Sequence, residues 1–165
     1  MKPFKPAWNS LSQHTMPQWL RDAKFGIYTT WGIFSVPAYA SIDHWQRNPN
    51  VTWYGHDMYE KNHPVYRRHL KVHGESKTFG YKDFIPQFKG EKFDAEEWAQ
   101  LFKEAGAKFA GPIAVFHDNF AMYNSKVNPW NAAAMGPKRD VTGELEKAIR
   151  GQGMKFIATF HHAYN

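Results

Sequence analysis

The sequence contains no cysteine, no long apolar run and no apolar leader segment. Without cysteine, a disulfide scaffold, a thiol nucleophile and a cysteine-ligated zinc or iron–sulfur site are excluded. No stretch approaches the roughly 20 apolar residues of a membrane-spanning helix, so no membrane partner is expected. The start, MKPFKPAWNS, is basic but lacks an apolar core, which predicts no signal peptide in this chain. A trimmed secreted chain would look the same, so the compartment stays open.

Short motifs of well-defined chemistry are also missing. The sequence has neither of the phosphate-binding patterns GxGxxG and GxxxxGK[ST], nor the HExxH and EF-hand patterns of metal sites. It lacks the GxSxG pattern as well, so a serine hydrolase has no support. We therefore expect a protein that uses no cofactor and no metal.

Aromatic residues, in contrast, are abundant. The 165 residues include 13 Phe, 8 Tyr and 7 Trp, and 42% of the chain is hydrophobic, which excludes intrinsic disorder and predicts a sizeable core. The formal net charge is +6, from 21 Lys and Arg against 15 Asp and Glu. Because the basic residues are scattered, we expect no nucleic-acid partner; an aromatic-rich, weakly basic surface fits carbohydrate at least as well.

The first forty residues predict a short helix followed by a strand. Thr15 is the predicted cap, Pro17 lies in the first turn, and the helix runs to Ala23. Residues 24–31 are aromatic and β-branched and predict a strand that ends at Gly32. Residues 41–92 then resemble a long loop with a helical patch at residues 57–62; their many aromatic residues favour an ordered, packed segment over a disordered one.

The second half predicts two helices and two buried strands. One helix begins at Asp94 and ends at Gly106, and the next begins at Asp140 and ends at Gly151. Their predicted apolar faces consist of Trp98, Leu101, Phe102 and Ala105 in the first helix, and Val141, Leu145, Ala148 and Ile149 in the second. The apolar runs at residues 109–116 and 154–160 predict the strands. Alternation of apolar strands with helices is typical of a parallel α/β sheet.

Polar residues gather after each predicted strand. Thr30 follows the first strand, His117 and Asp118 follow the second, and His161 and His162 follow the third. Ligands of parallel α/β folds bind outside these carboxyl ends, so this edge is the expected site. The final strand has no helix to cover it, and an eight-stranded barrel takes about 250 residues. The expected fold class is therefore α/β, as the front part of something larger.

Several local patterns have more than one interpretation. His117 and Asp118 could be a catalytic pair, a ligand set or a polar strand terminus. His161 and His162 invite a metal hypothesis, but neighbouring residues of a strand point to opposite faces, which disfavours it. The loop aromatic residues could stack on sugars, although core packing is the expected role of most of them.

Five ordered segments carry a family resemblance. They are WLRDAKFGIYTTWGIFSVPAY from Trp19, TWYGHDM from Thr52, YKDFIPQFKGEKFDAEEWAQLFKEAGAKFA from Tyr81, FHDNFAMYNSKVNPWN from Phe116 and GPKRDVTGEL from Gly136. In this order they resemble glycoside hydrolase family 29, the α-L-fucosidases. The resemblance covers nearly the whole chain and implies that residues 1–165 form the N-terminal part, about three to four βα units, of a (β/α)₈ catalytic barrel.

The resemblance also implies an activity. The family hydrolyses terminal α-L-fucosyl linkages of glycans with retention, which uses two carboxyl groups about 5 Å apart. The family's nucleophilic Asp follows the fourth strand, so both catalytic carboxylates are expected beyond residue 165. A fucosylated oligosaccharide or glycan is the implied partner.

The sequence departs from the family pattern at three polar positions. Thr30 stands where the family has His, Thr52 where it has Glu, and Phe116 where it has the first His of HHDGF. Since a hydrogen bond to a buried hydroxyl stabilises by about 1 kcal/mol, these changes imply a different sugar, replacement of the donors by His161 and His162, or lost catalysis.

The expected substrate contacts are Trp31, Trp53, His117, Thr30 and His161. Asp118 is expected to orient its neighbours rather than to touch the sugar. Two alternatives stay open, namely a non-catalytic sugar-binding relative and a half-barrel that pairs with a second chain or copy, burying its open edge.

Overall fold

A small parallel β-sheet lies at the centre of the chain. The computed structural model describes residues 4–41 and 50–161. Within them the strands are β1 (Gly26–Thr29), β2 (Phe109–Val115), β3 (Lys155–Phe156) and β4 (Thr159–Phe160). β2 pairs in parallel with β1 on one side and with β3 and β4 on the other. The predicted parallel α/β sheet is confirmed.

Six α-helices accompany the sheet in the described part of the chain. They are α1 (Trp8–Leu11), α2 (Gln18–Ala23), α3 (Tyr54–Asp57), α4 (Pro64–His73), α5 (Ala95–Glu104) and α6 (Val141–Gly151). α5 and α6 pack against each other, and α6 also packs on β2. Among the described residues no helix has the length and apolarity needed to cross a membrane.

The caps of α5 and α6 explain why these helices are readable in the sequence. The Asp94 carboxylate accepts the backbone N–H groups of Glu96 and Glu97 at 2.9 and 3.1 Å. The Asp140 carboxylate accepts that of Gly143 at 2.9 Å. Each cap satisfies N–H groups that the first helical turn leaves without partners.

The apolar face predicted for α6 is confirmed, whereas that of α5 is partly wrong. Val141, Leu145, Ala148 and Ile149 of α6 are all buried. In α5 the buried residues are Ala95, Ala99 and Phe102, while Leu101 is 61% exposed and Ala105 is also exposed. The face in contact with the core is therefore rotated toward the small alanines, which let the helix approach its neighbours closely.

The N-terminal elements are shorter than predicted. α2 begins after Pro17, whose backbone is extended at φ −57° and ψ 139°, and no side chain caps it. Thr15 is therefore not the cap. The strand predicted over residues 24–31 is confined to β1, since Lys24 adopts a positive φ of 60° just before it.

Residues 50–92 are packed, and they contain a helix that the sequence analysis missed. The helical patch predicted at residues 57–62 is wrong, because α3 ends at Asp57. The ten-residue α4 has His63 as its cap, Pro64 in its first turn and Gly74 after its end at φ 87°. Proline at the start and glycine past the end are recognised helix signals, so the bounds of α4 were present in the sequence.

A buried hydrogen-bonded chain fixes α4 in place. The Tyr54 hydroxyl lies 2.9 Å from Nδ1 of His69, and Nε2 of His69 lies 2.9 Å from the carbonyl oxygen of Phe79. Since a carbonyl oxygen only accepts, Nε2 carries the proton and the Tyr54 hydroxyl donates to Nδ1. Burial raises the pKa of Tyr54 to about 12, so the hydroxyl keeps its proton.

The third predicted strand is interrupted in the middle. β3 and β4 both pair with β2, but residues 157 and 158 between them are not in strand conformation. Gly111 of β2 faces this interruption, and a Cβ built on it would lie 1.7 Å from the carbonyl oxygen of Ile157. Glycine inside a strand marks such a close backbone approach.

We predict that Gly111→Ala destabilises the protein by about 1–3 kcal/mol, because the added methyl group forces the two strands apart. Gly151→Ala is the matched control, since a Cβ there meets no atom within 4 Å and the residue lies in α6. Alanine at a helical position is expected to be neutral or stabilising. Urea unfolding of both variants measures the difference; equal midpoints would contradict the predicted contact.

Candidate functional site

A cavity of about 430 Å³ lies where the chain leaves the carboxyl end of β2. Its lining residues come from three separate parts of the chain: Thr52, Trp53, Gly55, His56, Tyr59 and Glu60; Tyr81; and His117 and Asp118. Five of the nine carry an aromatic or imidazole ring. The volume suits a small-molecule ligand, and its position is the one expected for a ligand of a parallel α/β fold.

Trp53 and His117 form one wall of the cavity. Their rings stack with centroids 4.8 Å apart and planes inclined by 28°. His56 meets the indole edge-on at 5.7 Å. Trp53 ends a 3₁₀ turn, Val51–Trp53, that begins where the Asn50 side chain accepts the Thr52 N–H. The indole is thus positioned by its contacts with His117 and His56.

Tyr81 and Asp118 form a second wall through a hydrogen bond. The Tyr81 hydroxyl donates to Oδ2 of Asp118 at 2.8 Å, and Oδ1 accepts the Phe120 N–H at 3.0 Å. Burial, followed by the neighbouring carboxylate, raises the pKa of Tyr81, which therefore remains a donor. Burial also raises the pKa of Asp118, although its hydrogen bonds oppose this effect. With both oxygens engaged, Asp118 is suited to orienting the loop after β2.

The electrostatics of the cavity favour a neutral His117. Burial lowers its pKa, and the nearby His161 lowers it further; Asp118 and a hydrogen bond to the His161 backbone oppose this. That hydrogen bond uses the N–H of the neutral ring, so the other ring nitrogen is a hydrogen-bond acceptor. The wall therefore combines aromatic surface with groups that pair with hydroxyls, and it suits an uncharged, hydroxyl-bearing ligand.

Glu60 and Asp118 are the acidic residues that line the cavity. Nε2 of His56 lies 3.9 Å from the Glu60 carboxylate. Asp57 is buried and does not line the cavity; its carboxylate lies 3.1 Å from Nδ1 of His56 and 3.8 Å from Nε2 of His63. Within residues 4–41 and 50–161, no group of three or more His, Asp or Glu side chains is arranged to hold a metal ion.

The comparisons with known proteins point to one family. The model of the family described as alpha-L-fucosidase matches residues 1–164. The chain belongs to the α-L-fucosidase family. Among its relatives, the tissue α-L-fucosidase of Mus musculus is 37% identical over 168 residues, which is 98% of this chain and 35% of the mouse protein. The human tissue enzyme is also 37% identical, over 98% of this chain and 34% of the human protein.

A solved structure of this family has the same fold. The crystal structure of the α-fucosidase of Thermotoga maritima in complex with fucose is similar with a TM-score of 0.88 and 43% identity, covering 96% of this chain and 37% of the other. The chain thus spans about a third of the length of the relatives that it matches. The family resemblance predicted from the five sequence segments is confirmed.

Three of the residues predicted for the site come together at the cavity. Trp53, His117 and Asp118 all line it, and Asp118 makes the orienting hydrogen bonds described above. His161 lies behind this wall: its ring stacks on Phe116 at 4.8 Å and meets His117 edge-on at 5.3 Å. His162 lies outside the described residues, so its predicted part in the site stays a prediction.

Trp31 and Thr30 do not line this cavity, and their predicted contact with the substrate stays a prediction. The Trp31 indole packs against Phe88, Phe93 and Trp98, with centroids 5.0 to 5.6 Å away. It therefore belongs to the core and to a separate cavity bounded by α5. Thr30 is exposed at the end of β1 and does not line the cavity of His117.

The other two departures from the family pattern have clear structural consequences. Thr52 lines the cavity, but its hydroxyl donates to Oδ1 of Asn50 at 2.8 Å. Phe116 is buried in an apolar cluster with Phe34 and Ile113. Neither residue directs a charged group into the cavity.

Four lining residues were missed by the sequence analysis: His56, Tyr59, Glu60 and Tyr81. His56 lies inside the matched segment TWYGHDM, and Tyr81 is the first residue of the matched segment that begins YKDF. The family motifs therefore marked both positions without assigning them a role. Nothing local in the sequence connects Tyr81 with Asp118, because 37 positions separate them.

We predict that Asp118→Asn lowers the pKa of His117 below its already lowered wild-type value. The Asp118 carboxylate favours the imidazolium form, so its removal makes protonation harder. NMR titration of the His117 ring proton measures the midpoint, expected in the wild type below the ordinary 6.5. Glu91→Gln removes the same charge at a different cavity and is expected to leave the midpoint unchanged. An upward shift in Asp118→Asn would contradict the prediction.

Proposed function

We propose that this chain is part of an α-L-fucosidase that hydrolyses terminal α-L-fucosyl linkages of glycans with retention, and that it contributes residues that bind the substrate. In this proposal the cavity between Trp53, Tyr81 and His117 receives the terminal fucosyl group. Family membership supports the activity, and a relative with 43% identity has been crystallised in complex with fucose.

The stack of Trp53 on His117 is the observation that carries the proposal. A pyranose has a face of C–H groups and a rim of hydroxyls, and it needs an aromatic surface beside hydrogen-bonding groups. The electron-rich face of an aromatic ring meets such C–H groups favourably. Trp53 supplies the face, while the neutral His117, whose ring centroid lies 4.8 Å from that of the indole, supplies a hydrogen-bond acceptor.

Retaining hydrolysis needs a nucleophilic carboxylate and an acid/base about 5 Å apart. Both oxygens of Asp118 already accept hydrogen bonds, so we assign Asp118 to positioning. We propose that the catalytic carboxylates lie outside residues 1–165. In the same proposal, β1 to β4 form the N-terminal portion of a (β/α)₈ catalytic domain. Either further chain or a second chain or copy completes this domain. Light scattering on the purified protein tests whether a second chain or copy is bound.

A second candidate function is sugar binding without hydrolysis. It is favoured by Phe116 and Thr52, which stand at positions where the family pattern has His and Glu. Phe116 packs in an apolar cluster, and the Thr52 hydroxyl donates its hydrogen bond to Oδ1 of Asn50. Loss of charged groups from the cavity weakens transition-state stabilisation more than it weakens stacking of a bound sugar.

We predict that Trp53→Ala weakens binding of L-fucose to the 165-residue chain by about 10-fold, a loss of about 1.4 kcal/mol. The reason is removal of the aromatic face on which the sugar rests. Trp8→Ala is the matched control, because Trp8 is 85% exposed and does not line the cavity. Isothermal titration calorimetry measures both affinities.

Hydrolysis of p-nitrophenyl α-L-fucoside separates the two functions, and it is measured on the completed domain, in which the further segment or second chain that carries the carboxylates is present, with and without Trp53→Ala. Nitrophenol release that Trp53→Ala abolishes supports the glycosidase. Fucose binding without release supports the sugar-binding alternative. A folded chain that binds no fucose would contradict both.

A further inference from the structure

A second cavity of about 320 Å³ lies directly beside the first. The two share Tyr81 and Asp118, so the hydrogen-bonded pair is a partition between them. The remaining lining residues of the second cavity are apolar ones from the core and three at its rim: Ile33, Ile85 and Phe120; and Lys82, Asn119 and Trp130. The two cavities are therefore neighbours with the Tyr81–Asp118 pair between them.

Trp130 is unusual among the tryptophans near these cavities. Trp31 and Trp53 are packed against other rings, but Trp130 is 46% exposed and makes no ring contact with another described residue. Core packing therefore does not explain its indole. Tryptophan is a common anchor of binding surfaces when it is exposed in this way.

The backbone that carries Trp130 is rigidly held. Its N–H donates to Oδ1 of Asn128 at 2.9 Å, and its carbonyl accepts the Ala121 N–H at 2.9 Å. The Asn128 side-chain amide donates to the Asn119 carbonyl at 2.8 Å, which joins two sides of the cavity. The backbone that carries the indole is thus fixed, and little conformational entropy is lost when a ligand binds.

Buried Asn131 completes this frame. It is 3% exposed, and its amide donates to the Asn128 carbonyl at 2.8 Å. Its Oδ1 accepts the N–H groups of Ala133 and Ala134 at 3.1 and 3.0 Å. These hydrogen bonds hold the residues after Trp130 in a tight turn, and this turn keeps the indole exposed.

The rim groups define the chemistry of the ligand. Lys82 offers an ammonium with three donors, and Asn119 offers an amide that both donates and accepts. Both are exposed at the rim. An aromatic face with such groups around it matches a second pyranose ring better than it matches an apolar ligand or a peptide.

We propose that the second cavity binds the sugar to which the terminal fucosyl group is attached, with Trp130 against its face and Lys82 and Asn119 on its hydroxyls. The linkage between the two sugars then lies at the Tyr81–Asp118 partition. This proposal rests on the proposed function, because it extends the same ligand beyond the first cavity.

Calorimetry with the 165-residue chain tests this assignment. The probes are L-fucose and a set of disaccharides with α-L-fucose on galactose or N-acetylglucosamine through 1→2, 1→3, 1→4 and 1→6 linkages. At least one disaccharide is expected to bind about 10-fold tighter than fucose. Trp130→Ala is expected to remove that gain and to leave the affinity for fucose within about twofold, while Trp130→Phe keeps most of the gain.

The control is Val127→Ala, since Val127 is on the same loop, 93% exposed and outside both cavities. The assignment is overturned, with the proposed function intact, if fucose binds but no disaccharide binds tighter. It is also overturned if Trp130→Ala weakens fucose and disaccharide equally. If the folded chain binds neither, the proposed function and this assignment fail together.

Discussion

The hydrogen bond from the Tyr81 hydroxyl to the Asp118 carboxylate is the contact on which both cavities depend. It joins a 3₁₀ segment to the loop that leaves the central strand, across 37 positions of sequence. Because Asp118 also accepts the Phe120 N–H, the same carboxyl group fixes the direction in which the loop continues. His117, its neighbour in sequence, is thereby held against Trp53.

The support for this contact is the buried strand β2. Every other described strand pairs with it, and six of its seven residues are buried. An apolar strand that is paired on both sides has few ways to shift, so the positions of the side chains at its carboxyl end are also fixed. The site is thus built from loops and short turns that are anchored on a buried strand.

The sequence predicted the elements whose signals are local. The Asp94 and Asp140 caps and the apolar run of β2 each lie within a few residues of the structure that they specify, and these elements were predicted correctly. The helix α4 was missed because its cap is a histidine, although Pro64 and Gly74 marked its ends.

Placement of side chains was harder to predict than the elements. Trp53, His117 and Trp31 were all expected to contact the substrate, but only Trp53 and His117 line the first cavity. The direction of Trp31 depends on packing with Phe88 and Trp98, which no nearby residue reveals. The partner of Asp118 could not be found either, since a hydrogen bond between distant positions leaves no periodic signal in the sequence.

The walls of the first cavity come from positions 52–60, 81 and 117–118, so the cavity cannot form in any partly folded chain that lacks β2. Contacts of such long sequence separation close late and slowly. Any ligand of this cavity therefore binds only the fully folded chain and shifts the folding equilibrium toward it.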